Sequence, residues 1–223
     1  MCFSATASFA AGGLTTVAGV AALGAGKPAY RLLAAVPLLI AIHQFAEGVL
    51  WLTLEDPARA AWTGPAILTY TIVSKVVWPA WVPLSVFVVE ADPGRRRLLG
   101  ALAVLGVILA SVMAYGLGAY PVNANIAGPH IQYRQDSPLP FRGVTDLVYP
   151  LVTVLPALVA SDRLMRLMGA LLVASLVLTK IFFYYYFTSV WCYFAAIISV
   201  IVVLVVRAGS ARVTVPQAQP SRI

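Results

Sequence analysis

LLAAVPLLIAIHQFAEGVLWLTL, residues 32–54, decides the fold class. It exceeds the roughly 20 apolar residues that cross about 30 Å of hydrocarbon, yet it carries His43 and Glu47 on one helical face. Six further stretches have similar length and apolarity: residues 6–25, 64–89, 98–119, 144–160, 164–184 and 187–206. Hydrophobic residues make up 61 % of the chain and charged residues 10 %, and the mean hydropathy is +0.90. Soluble domains average about 45–50 % and about 25 %, so a water-facing surface cannot be built from this composition. Disordered, collagen-like and disulfide-scaffold classes are excluded with it. The expectation is an all-α polytopic membrane protein with seven transmembrane helices.

Orientation follows from the basic residues, which stay cytoplasmic in short loops. Lys27 and Arg31 separate the first two spans, Arg95, Arg96 and Arg97 the third and fourth, and Arg163 and Arg166 the fifth and sixth. Arg207, Arg212 and Arg222 follow the seventh, whereas only Arg59, Arg134 and Arg142 lie on the other side. The expected N-terminus is outside and the C-terminus cytoplasmic, in a bacterial plasma membrane. Topology thus absorbs most of the net charge of +7, and no nucleic-acid partner is required. The lipid bilayer is the expected partner, with anionic lipid a candidate contact for Arg95, Arg96 and Arg97.

The start lacks the basic region of a cleavable signal, so the first span is expected to remain. Residues 1–207 form one transmembrane domain, and 208–223, rich in Pro, Gln, Ser and Arg, read as a mobile cytoplasmic tail. The longest connection, residues 120–142, alternates Val122, Ala124 and Ile126 with polar residues. A Gly128-Pro129 turn follows, then Ile131 and Tyr133, which predicts a short extracytoplasmic hairpin between the fourth and fifth spans.

A charge inside a membrane costs about 2.5–3.5 kcal/mol on insertion scales, so each needs a partner or a wet cavity. His43 and Glu47 are four residues apart, with Trp51 one turn on, and Lys75 falls mid-way along the third span at similar depth. A Glu47–Lys75 ion pair with His43 beside it is the simplest arrangement. Pro79 and Pro83, within Trp78-Pro79-Ala80-Trp81-Val82-Pro83, predict a kink next to Lys75. His43, Glu47, Lys75, Trp51 and Trp78 are therefore the candidate ligand-binding residues. Lys180 reads as a snorkelling residue near a span end.

The two cysteines leave three readings open: a Cys2–Cys192 disulfide on the outer side, two ordinary thiols, or a metal site. In the last, Cys2, His43, Glu47, Cys192 and His130 supply thiolate, imidazole and carboxylate, a set that suits zinc.

The opening Met1-Cys2-Phe3-Ser4-Ala5, His43-Gln44 with Glu47-Gly48 and Trp51, Trp78-Pro79 and Trp191-Cys192 resemble a family of uncharacterised bacterial seven-helix membrane proteins. The resemblance extends over nearly the whole chain and implies that Cys2, Glu47 and Cys192 belong to recurring motifs. It implies no reaction. Microbial rhodopsins carry a retinal lysine on their last helix, which this chain lacks.

The sequence therefore leads to a membrane protein with a buried polar site on the second and third spans. That site binds or passes a small ligand, proton or ion. The alternatives are a metal-dependent membrane-embedded hydrolase and a structural subunit of a membrane complex; the sequence does not decide whether the protein is an enzyme.

Overall fold

Small residues at helical spacing set the first contact. Helix α1 (Ala5–Ala25) starts at Ser4, whose Oγ accepts from the Ala7 N–H at 3.2 Å, and it buries Ser8, Gly12, Thr15, Gly19 and Ala22 along one stripe. That stripe lies on α3 (Val36–Glu55), reached through a short α2 (Arg31–Ala34). Phe45 fills the space left by Gly12, Leu38 that left by Gly19, and Phe9 that left by Gly48. Glycine lets two helix backbones approach closely where hydrocarbon offers no hydrophobic drive for helix pairing. The opposite face of α1 exposes Leu14, Val17 and Val20. The computed structural model describes residues 4–212, apart from the side chains of residues 139–142, 144, 188 and 212; of the expected tail, 208–223, residues 208–212 continue the last helix and the rest lie outside the described residues.

The remaining helices are α4 (Thr63–Ile72), α5 (Trp78–Val89), α6 (Pro93–Ala119), α7 (Leu139–Val159), α8 (Arg163–Phe182), α9 (Phe187–Ile198) and α10 (Val200–Arg212). Six helical stretches among the described residues are long and apolar enough to cross a membrane, and Thr145–Val159 is a shorter apolar helix. The architecture is that of a multi-pass helical membrane protein, with exposed Val104, Ile108, Ile181 and Leu204 on its outer surface.

The expected hairpin is present. Strand β1 (Val122–Ala127) pairs antiparallel with β2 (His130–Gln135), with Ala127 opposite His130 and Gly128 turning at φ +61°. It docks on the bundle: fully buried Ile131 packs with Trp51, Leu50 and Tyr70.

The expected kink takes a more specific form. Between α4 and α5, residues Val73–Val77 form one π-helical turn, whose Val73 carbonyl accepts from the Trp78 N–H. In that turn the Ser74 carbonyl would bond the N–H five residues on, but residue 79 is proline and has none. The Tyr149 hydroxyl of α7 supplies the missing donor at 2.5 Å. Further along, the Pro79 carbonyl lies against Gly106 of α6, so tightly that a Cβ at Gly106 would collide with it.

At the end opposite the hairpin, polar groups staple two turns together. The Glu90 carboxylate accepts from the Ser161 hydroxyl at 2.6 Å, the Ser161 N–H at 2.7 Å and the Asp92 N–H at 2.9 Å. Arg95 donates to the Val159 and Ala160 carbonyls and Arg166 to those of Ala160 and Ser161, capping the C-terminus of α7 with positive charge. Burial raises the Glu90 carboxyl, but the Ser161 and backbone hydrogen bonds outweigh it and hold it below the usual carboxylate range.

Two outcomes follow for thermal unfolding in detergent. Gly106→Val destabilises by about 1–3 kcal/mol through overpacking against the Pro79 carbonyl, whereas the same change at Gly13, which faces open space, is near neutral. Glu90 binds its proton less readily folded than unfolded, so its contribution is present at neutral pH and lost as pH falls through its lowered folded value. The acid-side loss of stability is therefore smaller in Glu90→Gln than in wild type.

Candidate functional site

The sequence-predicted residues occupy three different environments. His43, Gln44 and Glu47 project from α3 into the bundle interior and are 1 %, 0 % and 0 % exposed. Glu47 does not face Lys75: its Oε1 accepts from the Ser189 hydroxyl of α9 at 2.5 Å. The His43 ring stacks on Tyr70 of α4 at 3.8 Å, and Tyr70 stacks in turn on Tyr133 of the hairpin at 4.2 Å. Trp51 lies one turn on in the apolar cluster beneath the hairpin. The interior thus holds an enclosed, aromatic-lined polar core. Among the described residues, His43 Nε2, both polar atoms of Gln44 and Trp51 Nε1 make no hydrogen bond.

Lys75 points the other way. Its ammonium donates to Gln135 Oε1 of β2 at 2.6 Å, and the Gln135 amide donates to the Gly116 and Tyr120 carbonyls at the end of α6. The expected Glu47–Lys75 pair is therefore replaced by two separate pairings. The reason is the π turn, which adds a residue to its helix and re-aims Lys75 toward the hairpin and α7.

Lys75 there lines a cavity of about 450 Å³ at the hairpin end, bounded by the π turn, β2, α7, α8 and α9. Lys75, Arg134 and Lys180 supply positive charge, and Asp136 and Asp146 negative charge. Exposed Tyr184 and Tyr185 stand at its rim, and Tyr149, Trp191 and Cys192 form its floor. Lys180 belongs to this wall, with its ammonium 5.8 Å from the Phe187 ring centre. Trp78 lines a second chamber, of about 90 Å³, deeper in the bundle.

The metal set does not assemble. Among the described residues no three His, Cys, Asp or Glu side chains are grouped to hold an ion; Cys2 lies outside them. His130 packs on Tyr186 at 4.5 Å and edge-on to Phe183, and burial lowers its basicity. The order of the hairpin explains this placement, since residue 130 opens β2 beside the aromatic segment after α8. Cys192 is a free thiol among the described residues. A disulfide to Cys2 is not seen, and Cys2 itself falls outside the described residues.

The family of unknown function DUF6629 matches residues 1–218. The chain belongs to that family. No curated protein and no solved structure matches it.

Residues missed by sequence reading include Gln135, Asp146, Tyr149, Tyr70 and Ser189. One local signal existed: a proline five residues after Ser74 orphans a carbonyl once a π turn forms. Removing the Ser189 hydroxyl takes a donor from a fully buried carboxyl group, so Ser189→Ala costs about 1–3 kcal/mol in thermal unfolding. Lys75→Met, at a wetter position, costs less in the same assay.

Proposed function

We propose that the protein crosses a bacterial plasma membrane seven times, with the hairpin end outside and the arginine-rich end cytoplasmic. In this reading the hairpin-end cavity binds a small polar ligand bearing an anionic group. The observation that carries it is Lys75, an ammonium within an apolar span that lines a 450 Å³ cavity. A cation at that depth is costly unless solvated or paired. Gln135 takes one of its three donors, leaving capacity for an anion. Lys75, Arg134 and Lys180 on the cavity walls exceed Asp136 and Asp146 by one charge.

The basic loops support the orientation, because Lys27, Arg31, Arg95, Arg96, Arg97, Arg163 and Arg166 all fall at one end. Binding is favoured over passage of an ion or proton. Beyond the floor of the cavity the next chamber is lined largely by apolar side chains such as Leu33, Ile40 and Val86, which offer an ion no replacement for water.

Thermal-shift and calorimetric titrations with acetate, phosphate and glutamate test the reading on protein in nanodiscs. At least one of these anions is expected to stabilise wild type. Lys75→Met is expected to weaken that binding tenfold or more, with Lys75→Arg intermediate. Failure of every anion to bind, or unchanged binding by Lys75→Met, contradicts the proposal.

A further inference from the structure

The hairpin-end cavity and the deeper chamber abut on the same three side chains, Tyr149, Trp191 and Cys192. Their chemistry differs sharply across that partition. Above it stand Lys75, Arg134 and Lys180; below it stand Ile40, Val86 and Leu172. Lys75 is close to the partition, since the Tyr149 hydroxyl bonds the carbonyl of its neighbour Ser74. A cation on one side of a thin aromatic wall and an apolar void on the other is the layout for a molecule with an anionic head and a short apolar tail. Hydrocarbon contact in a small void is favourable and water there is not, because water needs 2–4 polar partners.

We infer that the ligand is a short-chain amphiphilic anion, a carboxylate whose head pairs with Lys75 and whose tail passes the Tyr149–Trp191 partition into the deeper chamber. This rests on the reading of the hairpin-end cavity as a binding site. The chamber's 90 Å³ sets the length. At about 10–15 Å³ of such volume per water-sized group it takes about six to nine carbon centres. That is too little for the acyl chain of a membrane lipid, so the source is a soluble short-chain acid.

The test is a titration of acetate, butyrate, hexanoate and octanoate against the full chain in nanodiscs by ligand-observed NMR, with empty nanodiscs as reference. Affinity is expected to rise from acetate through hexanoate, by up to about fourfold per methylene. Ala195→Leu, which fills the deeper chamber, is expected to abolish that rise and leave acetate binding unchanged; Ser85→Val on the opposite wall repeats the comparison with less added volume. Equal affinity for all four acids in wild type overturns the inference while leaving the anion site in place. A rise that both filled variants retain also overturns it, since the tail then lies elsewhere. If acetate and the longer acids all fail to bind, the inference falls, and the reading of the cavity falls with it when phosphate and glutamate fail as well.

Discussion

In hydrocarbon no solvent is available to satisfy a polar group, so a backbone carbonyl orphaned there is costly until a side chain of the protein supplies a donor. The orphaned Ser74 carbonyl shows how far that requirement reaches. Pro79 removes its helical donor, Tyr149 supplies another, and α7 is thereby fixed to the π turn. The same turn directs Lys75 to Gln135, whose amide caps the end of α6. One missing N–H thus organises a strand, two helices and the wall of a cavity. The close approach of α5 and α6 at Gly106 brings the next proline-freed carbonyl into that packing.

The chain divides its rare charges by environment. Glu47 and His43 are in the buried interior, held by Ser189 and Tyr70. Lys75 is at a wetter wall, where Asp146 adds opposite charge. Lysine suits the second place, because its compact ammonium is strongly hydrated and tolerates exchange between water, amide and anion. At the far end Glu90, Arg95 and Arg166 are stapled to backbone groups, which leaves them committed to joining turns.

Much of the architecture was legible. Length and apolarity located the apolar helices, six of them among the described residues long enough to cross a membrane and Thr145–Val159 shorter. Alternation about Gly128-Pro129 located the hairpin, and the paired prolines located the irregularity beside Lys75. What sequence spacing did not show was pairing at a distance. Ser189 lies 142 residues from Glu47, Gln135 lies 60 from Lys75 and Tyr149 lies 75 from Ser74. Depth along a span gave His43 and Lys75 similar levels, with Glu47 one turn toward the outside, but not their azimuth, and the inserted residue of a π turn rotates everything on one side of it. The simplest ion pair was therefore the wrong one.

Reagent accessibility distinguishes Lys75 at the cavity wall from Glu47 in the bundle interior. In a Cys2→Ser, Cys192→Ala background, cysteine is placed at position 75 or at position 47 and exposed to a membrane-impermeant thiol reagent in right-side-out vesicles. The account predicts rapid labelling of Lys75→Cys from the outer face and none of Glu47→Cys without denaturant. Equal labelling of the two, or labelling of position 47 alone, would contradict it.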